Sequence, residues 1–205
     1  MRLTCLAILG CVLAASPAVP GGKPGEERSK IAAYLKGHDV PVAAELGALS
    51  GTPAKPLMAI AEDAAADGLV RARAVAALRL YPSTATRSFL GKLIEAKAAS
   101  SDATDQLLAR RAAVALGWLA GAGACAHLAA LFASPNPEVR IDAAIGLGLT
   151  RAPEAPAFLR KQLAVETVAH VRDQIERQLR ALGQAPPAPE EAPRRPERPP
   201  MRSSF

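Results

Sequence analysis

Six arginines at recurring positions are the side chains in this sequence best suited to bind a partner. They are Arg71, Arg73, Arg110, Arg111, Arg140 and Arg172. A guanidinium group carries five N–H donors in a fixed fork and binds carboxylates through paired hydrogen bonds. If stacked helices carry these arginines, they form a basic ridge that would bind an acidic protein segment. The alternative is a structural ladder in which each arginine pairs with an acidic neighbour. The candidate partners are Asp67, Asp105, Asp142 and Asp173.

The residue types that usually carry catalysis or bind metals do not converge in this sequence. His38, His127 and His170 lie on different segments, and no cysteine pair accompanies them at a metal-ligand spacing. The adjacent carboxylates at 62–63 would point about 100° apart on a helix, which prevents them from sharing a substrate. The second adjacent pair, at 190–191, lies in a proline-rich tail. We therefore predict no catalytic residue, no metal site and no cofactor.

Two single residues have structural interpretations. Cys125 lies between small residues on a predicted helix, which is typical of a buried, inert thiol. Trp118 is the only tryptophan, and its place near a helix end predicts an anchor in the core or between helical units. The alternative for Trp118 is an exposed binding residue, because tryptophan is enriched at protein interfaces.

The elements that would position the arginines follow from one capped, amphipathic helix pattern. In its clearest copy, Asn136 is suited to accept hydrogen bonds from the first helical N–H groups, and Pro137 suits the first turn. Val139, Ala143 and Leu147 then recur at every fourth residue and form one apolar stripe. The spacing predicts a helix that ends near Gly148.

This pattern recurs along the chain at intervals of about 31 to 38 residues, which is typical of a helical repeat protein. Its copies start at Val70, Leu108, Val139 and, more loosely, Val171. The predicted N-caps are Asp67, Asp105 and Asn136, with Thr167 one place further out in the fourth copy.

A first helix is predicted before each of these second helices, over residues 56–66, 84–98, 123–133 and 155–164, with an upstream pair over 26–36 and 42–49. The predicted fold is all-α, an α-solenoid of stacked antiparallel helix pairs, with four to five repeats in a domain spanning 26–183.

The repeat resembles the HEAT repeat family, particularly its short bacterial form. The resemblance is carried by Asp67-x-x-Val70-Arg71, Asp105-x-x-Leu108, Asn136-x-x-Val139-Arg140 and Val171-Arg172, and it covers about residues 54–183. In that family the helices stack into a curved superhelix whose second helices line the concave side, and most members bind other macromolecules. The resemblance therefore implies that a partner binds on the concave face. Ala109 replaces the usual arginine of the second copy, so the resemblance does not imply a continuous ladder.

The first 18 residues have the pattern of a signal peptide. Arg2 precedes an apolar run over residues 3–15, and small residues at 16 and 18 favour cleavage after Ala18. The run is too short for a permanent transmembrane helix, so we predict no span in the mature chain. The predicted location is periplasmic or secreted. One alternative is lipidation of Cys11, because Ile8-Leu9-Gly10-Cys11 is similar to a lipoprotein cleavage box, and another is the start of a cytoplasmic protein.

The two remaining segments are rich in proline. Residues 19–25 form a predicted linker, and residues 184–205 form a tail of proline, glutamate and arginine that cannot bury a core. We predict that this tail is disordered and solvated. The alternative is that Pro186-Pro187-Ala188-Pro189 docks in an aromatic groove as a polyproline helix.

Charge and composition restrict the class of partner. The net charge is +6, but only 3% of the residues are aromatic, which argues against base stacking and hence against a nucleic-acid partner. We predict a non-catalytic protein–protein interaction scaffold or adaptor of the bacterial cell envelope, whose basic groove binds an acidic protein segment or, alternatively, an anionic envelope surface. The alternatives are a structural lipoprotein tethered through Cys11 and an enzyme or lyase- or chaperone-like HEAT protein.

Overall fold

The computed structural model describes residues 23–38, 40–119 and 123–183, and all regular elements in these ranges are helical. The α-helices are α1 (Pro24–Gly37), α2 (Ala43–Leu49), α3 (Ala54–Glu62), α4 (Gly68–Ala77), α5 (Thr84–Lys97), α6 (Ala103–Leu119), α7 (Ala124–Ala130), α8 (Pro137–Thr150), α9 (Ala155–Val165) and α10 (Ala169–Ala181). Short 3-10 turns extend α4 over Leu78–Leu80 and α7 over Leu131–Ala133. The all-α prediction of helix pairs in an α-solenoid is confirmed. The predicted signal peptide, most of the predicted linker and the predicted tail lie outside the described residues.

The chain divides between Pro82 and Ser83 into two compact units. In the N-terminal unit, α3 packs antiparallel to α4, and α1 packs against both. Leu35, Leu57 and Ile60 are fully or almost fully buried there. This unit is a small helical core of its own.

The C-terminal unit contains three helix pairs, α5 with α6, α7 with α8, and α9 with α10. The first helices α5, α7 and α9 contact one another in sequence, and the second helices α6, α8 and α10 do the same. Within this unit the second helices therefore form one continuous layer. Its buried residues are largely alanine and leucine, as the low aromatic content requires.

Two of the predicted N-caps are confirmed. The Oδ1 atom of Asp67 accepts hydrogen bonds from the N–H groups of Leu69 at 2.9 Å and Val70 at 3.1 Å. The Oδ1 atom of Asn136 accepts from the N–H of Glu138 at 2.9 Å. These bonds satisfy helix N–H groups that have no partner within the helix.

The caps predicted for the other two copies are wrong. Helix α6 begins earlier than predicted, and Asp102 accepts from the N–H of Asp105 at 2.8 Å. Asp105 lies in the first turn instead, where its carboxylate pairs with Lys97 at 2.7 Å. The N-cap of α10 is Val168 and not Thr167, and it has no side-chain cap. In the α6 copy Asp102, close in sequence, takes over the expected role, whereas the first N–H groups of α10 receive no side-chain cap.

The predicted helix end at Gly148 lies inside a helix, and so does Gly117, which occupies the equivalent repeat position. Gly117 belongs to α6, which continues to Leu119, and Gly148 belongs to α8, which continues to Thr150. A Cβ atom on Gly117 would lie 2.6 Å from the carbonyl oxygen of Gly146, so α6 and α8 touch through their backbones. These glycines serve close helix packing rather than termination.

Candidate functional site

The two predicted arginines of the N-terminal unit hold main-chain carbonyls. Nε of Arg71 donates to the carbonyl oxygen of Ala61 at 3.0 Å, next to the end of α3. Nη1 of Arg73 donates to the carbonyl oxygens of Leu35 at 2.8 Å and Lys36 at 3.1 Å, at the end of α1. The last carbonyls of a helix have no partner within it and carry the negative end of its dipole. Both arginines therefore cap the C-termini of neighbouring helices.

Arg172 performs the same task in the C-terminal unit. Its Nη1 donates to the carbonyl oxygens of Leu163 at 2.8 Å and Glu166 at 2.9 Å, where α9 ends. Arg71 and Arg172 follow the starting apolar residue of their repeats by one position. The repeat arginine therefore closes the first helix of its own helix pair.

Arg140 occupies the same repeat position but forms a buried ion pair. Its Nε and Nη2 atoms donate to the two carboxylate oxygens of Glu166 at 2.8 and 2.9 Å, and Nη1 donates to the carbonyl oxygen of Ser134 at 2.9 Å. The side chains are only 11% and 3% exposed, respectively. Hydrogen bonds from Arg140 lower the pKa of Glu166 to about 2, and bonds from Gln162 and from the N–H of Val168 act in the same direction against burial.

The remaining two arginines of the predicted set differ from each other. Nε of Arg110 pairs with Asp142 at 2.6 Å, and its Nη2 pairs with Glu138 at 3.4 Å. Asp142 was one of the acidic partners expected for a structural ladder. Arg111, the next residue on α6, is exposed to solvent. Five of the six arginines therefore have partners within the described chain, and partner binding by the set remains a prediction.

The structure reveals an apolar surface that the sequence analysis missed. Trp118 is 61% exposed near the end of α6, so its predicted role as a packing anchor is wrong. Val114 lies one turn earlier on the same stripe, and Ile145 and Leu149 occupy the equivalent positions of α8, where all three are partly exposed. Because α6 and α8 touch through Gly117 and Gly146, these side chains form one patch. We call Val114, Trp118, Ile145 and Leu149 the apolar face.

A shallow cleft extends this surface toward α10. Its volume is about 430 Å³, and its lining consists of Gly148, Leu149, Arg151, Gln178, Ala181 and Leu182. Leu149 thus belongs to both the apolar face and the cleft. Arg151 is exposed at one end of the combined surface, and Arg111 lies one turn before Val114 at the other end. Arg111 and Arg151 are cations, whereas Asp142, which pairs with Arg110, lies one turn before Ile145 on α8.

The candidate chemical residues lie apart from this surface. Cys125 is only 2% exposed, its Sγ lies 3.7 Å from Thr150 Oγ1, and burial raises the pKa of its thiol. The prediction of a buried thiol is confirmed. Nδ1 of His127 lies 2.9 Å from a carboxylate oxygen of Glu95. In the three described ranges, no group of three or more His, Cys, Asp or Glu side chains is placed to hold a metal ion.

The clefts of the N-terminal unit are open and lined mainly by small or surface residues. The larger, about 750 Å³, contains Tyr81 beside glycine, serine, threonine, proline and alanine. The smaller, about 530 Å³, contains Glu27, Arg28 and Lys55 at its polar side. Neither lining brings together a nucleophile with a base that activates it.

Comparison with known families agrees with this architecture. Residues 96–180, which include α6 to α9 and most of α10, match the family model described as HEAT repeats. A search of curated proteins and a search of solved structures each found no match. Among the described helices, none combines the length and the apolar composition that crossing a membrane requires. HEAT repeats generally mediate protein–protein interactions and are typically non-catalytic scaffolds. The matched segment, residues 96–180, is therefore similar to HEAT repeats, and it coincides with the layered helix pairs of the C-terminal unit.

Proposed function

We propose that this protein is a non-catalytic interaction scaffold or adaptor of the bacterial cell envelope, and that it binds its partner on the apolar face. The observation that carries this proposal is Trp118, whose side chain is 61% exposed beside three partly exposed aliphatic residues. A tryptophan in such a setting is the residue type that most often dominates the energy of a protein interface. Contiguous apolar surface of this kind commonly marks an interaction site.

The partner's chemistry follows from the surface. Apolar side chains would cover Trp118 and Leu149, and carboxylates would pair with Arg111 and Arg151 at the two ends. An amphipathic helix or an extended segment with acidic flanks meets both conditions. Because packed helices already order this layer, the protein loses little conformational entropy on binding.

Four of the predicted arginines have a structural role in this proposal and do not form the binding surface: Arg71, Arg73, Arg140 and Arg172. Their donors cap helices or hold Glu166, so changing them would disturb the fold before any partner could report on them. A basic surface for an acidic partner is better tested through Arg111.

The envelope location rests on the signal-peptide pattern of residues 1–18. Mass spectrometry of the mature N-terminus in its native host tests it. A chain that starts at Val19 supports export, and a diacylglyceryl group on Cys11 supports a membrane-anchored lipoprotein instead. An intact Met1 in the mature protein would refute both.

The binding surface is tested by crosslinking and pull-down from the native host, followed by affinity measurement with the purified partner. The test variant is Trp118→Ser with Arg111→Glu. The matched control is Val165→Ser with Lys161→Glu, because Val165 is 69% exposed and both control residues lie on the first helix α9. Circular dichroism checks that both variants are folded.

We expect the control to bind like the wild type and the test variant to lose affinity by about thirtyfold or more, which corresponds to a hot spot of about 2 kcal/mol. Equal binding by the wild type, the test variant and the control would refute the apolar face as the binding surface.

A further inference from the structure

We infer that the apolar face binds a second copy of this chain, and that α6 of each copy packs against α8 of the other in a symmetric dimer. This inference rests on the proposed function, because it names the partner of the same surface. Its evidence is the equal height of equivalent residues on α6 and α8, the exposure of Trp118 and the opposite charges that the two helices carry.

The two helices that carry the apolar face run in the same direction with equivalent residues at nearly the same height. Arg110, two positions after the starting apolar residue of its repeat, pairs with Asp142, three positions after that of the next repeat. Further along, a Cβ atom on Gly117, at position nine, would lie 2.6 Å from the carbonyl oxygen of Gly146, at position seven. Residues with the same position number on α6 and α8 therefore lie side by side.

This register determines which residues meet when two copies are paired. A twofold axis that runs between α6 and α8, parallel to both helices, places α6 of one copy over α8 of the other without changing the height of any residue. Trp118 then meets Leu149 of the second copy at position ten, and Val114 meets Ile145 of the second copy at position six. Each contact occurs twice in such a dimer, and aliphatic side chains cover the exposed indole.

The charges near the starts of the two helices differ in sign. Helix α6 carries Arg110 and Arg111, whereas α8 carries Glu138 and Asp142. Within one copy Arg110 contacts both carboxylates, with its Nε 2.6 Å from Asp142 and its Nη2 3.4 Å from Glu138. Arg111 is exposed, and the side chain of Glu138 is 49% exposed. Because a carboxylate can accept several hydrogen bonds, α8 can receive a second guanidinium group.

The twofold arrangement brings these opposite charges together. Arg111 and Asp142 are both at position three, so Arg111 of one copy lies over Asp142 of the other, with Glu138 one turn away on the same stripe. Arg110 and the second copy's Arg111 then share two carboxylates, and each side of the axis holds two cations and two anions. Arg151, the other cation beside the face, follows the position of the last described residue of α6 and faces no described charge in this arrangement.

This charge pattern favours a second copy over a segment that is acidic along its whole length. Such a segment would pair with Arg111 but would also meet Glu138 and Asp142. Helix α8 of a second copy is an amphipathic helix with its acidic residues at one end, so it places carboxylates only opposite α6. It also brings a cation from its own α6 opposite the acidic residues of α8.

The contact is small and should be weak. At the equivalent positions of α10, Arg177 donates to Gln174 at 2.7 and 3.0 Å, so the aliphatic stripe does not continue there. Four apolar side chains from each copy give an interface at the low end of the size range of specific contacts. We therefore expect a dissociation constant of about 10–100 µM.

Self-association is tested by sedimentation of the purified mature protein from about 1 to 500 µM, which brackets the affinity expected for so small an interface. Trp118 is the only tryptophan, so its fluorescence reports on the same surface. We expect a monomer–dimer equilibrium, with blue-shifted emission and reduced acrylamide quenching where dimers form, because cover of the indole excludes the quencher. Monomers over the whole range would overturn the inference, and so would dimers in which the emission of Trp118 is unchanged.

Two charge reversals test which helices face each other. Arg111→Glu and Glu138→Arg each place like charges opposite one another, and each contact occurs twice. Either variant alone should therefore dimerise about tenfold more weakly than the wild type. In an equimolar mixture, the heterodimer joins the two substituted side chains with opposite charges and also joins unaltered Arg111 with unaltered Glu138. Dimerisation in the mixture should return to within about threefold of the wild type.

The controls separate this pairing from general effects of charge and folding. Trp118→Ser should weaken dimerisation by about thirtyfold or more. Val165→Ser and Lys161→Glu, which change exposed residues of α9, should leave it unchanged. Circular dichroism checks that all variants are folded. A mixture that dimerises no better than either charge variant alone would overturn the inference, as would an equal loss with Lys161→Glu.

The pull-down from the native host separates this inference from the proposed function. If the protein stays monomeric while capture of another protein depends on Trp118 and Arg111, the second copy is not the partner and the proposed function stands. If the charge variants complement each other in the dimer but no captured host protein depends on Trp118 and Arg111, the adaptor role fails and the self-association stands.

Discussion

Replacing Glu166 with glutamine should remove a specific part of the protein's acid sensitivity. The Glu166 carboxylate is buried between α9 and α10 and receives two hydrogen bonds from Arg140. Glutamine keeps nearly the same shape and can still accept a hydrogen bond, but it does not titrate. The variant therefore tests the charge of the pair rather than its packing.

The magnitude follows from the pKa of Glu166, which is about 2 in the fold against an ordinary value of 4.5. Because folding lowers this pKa, the contribution of Glu166 to stability is fully present above about pH 4.5 and is lost as the pH falls toward about 2. At pH 3 the unfolded chain is largely protonated at this position while the folded chain is not. This difference removes about 2 kcal/mol from the free energy of unfolding relative to pH 7.

The assay is urea denaturation followed by circular dichroism at pH 7 and pH 3. The wild type should lose about 2 kcal/mol more than Glu166→Gln between the two pH values. Glu62→Gln, which changes an exposed glutamate on α3, should lose as much as the wild type. Equal losses in the wild type and Glu166→Gln would refute the assignment of a strongly lowered pKa. In a separate check, Arg140→Met should cost about 3–5 kcal/mol at pH 7, because it leaves the buried carboxylate without its cation.

Two further predictions concern packing. Gly117→Ala or Gly146→Ala should each destabilise the protein by about 1–3 kcal/mol in urea denaturation, because the new methyl group would meet backbone atoms of the neighbouring helix. Gly47→Ala, where nothing lies within 4 Å, should instead stabilise by about 0.5–1 kcal/mol; the reverse order would contradict the close contact. In a chain with Cys5 and Cys11 changed to serine, a disulfide reagent should modify Cys125 roughly a hundredfold more slowly in the native protein than in urea, because burial hinders access and raises the thiol pKa. Comparable rates would show that Cys125 is accessible.

The sequence was sufficient to predict the elements whose signals are local. Asp67 and Asn136 cap their helices as expected, because an N-cap bond spans only two or three residues. Helix periodicity likewise placed the helices within a few residues of their observed bounds. The Asp105 cap was wrong because Asp102, an equally suitable acceptor, lies one turn earlier. A local sequence pattern does not decide which of two neighbouring acceptors caps a helix.

The features that depend on three-dimensional contacts could not be predicted in this way. For Arg71 and Arg172 the sequence analysis considered a binding ridge or pairing with acidic neighbours. In the structure they bind carbonyl oxygens, which every residue carries and no sequence pattern marks. Trp118 was expected, from its place near a helix end, to be an anchor in the core or between helical units. It is exposed because α6 meets α8 through Gly117, and the backbone contact leaves the adjacent indole uncovered. The candidate binding surface thus depends on the close backbone contact between two helices, α6 and α8, which no local sequence pattern predicts.

The arginine contacts also bear on how such a chain can lengthen by gene duplication. Arg71 and Arg172 satisfy their donors inside their own helix pair, so a duplicated pair would carry both sides of the contact with it. Arg110 instead depends on Asp142 in the next pair, and Arg140 depends on Glu166 beyond α9. An insertion after α6 or α8 would separate these charges, whereas a copy of the α9–α10 pair could be appended intact. The α9–α10 end of the array is therefore more open to growth than its interior.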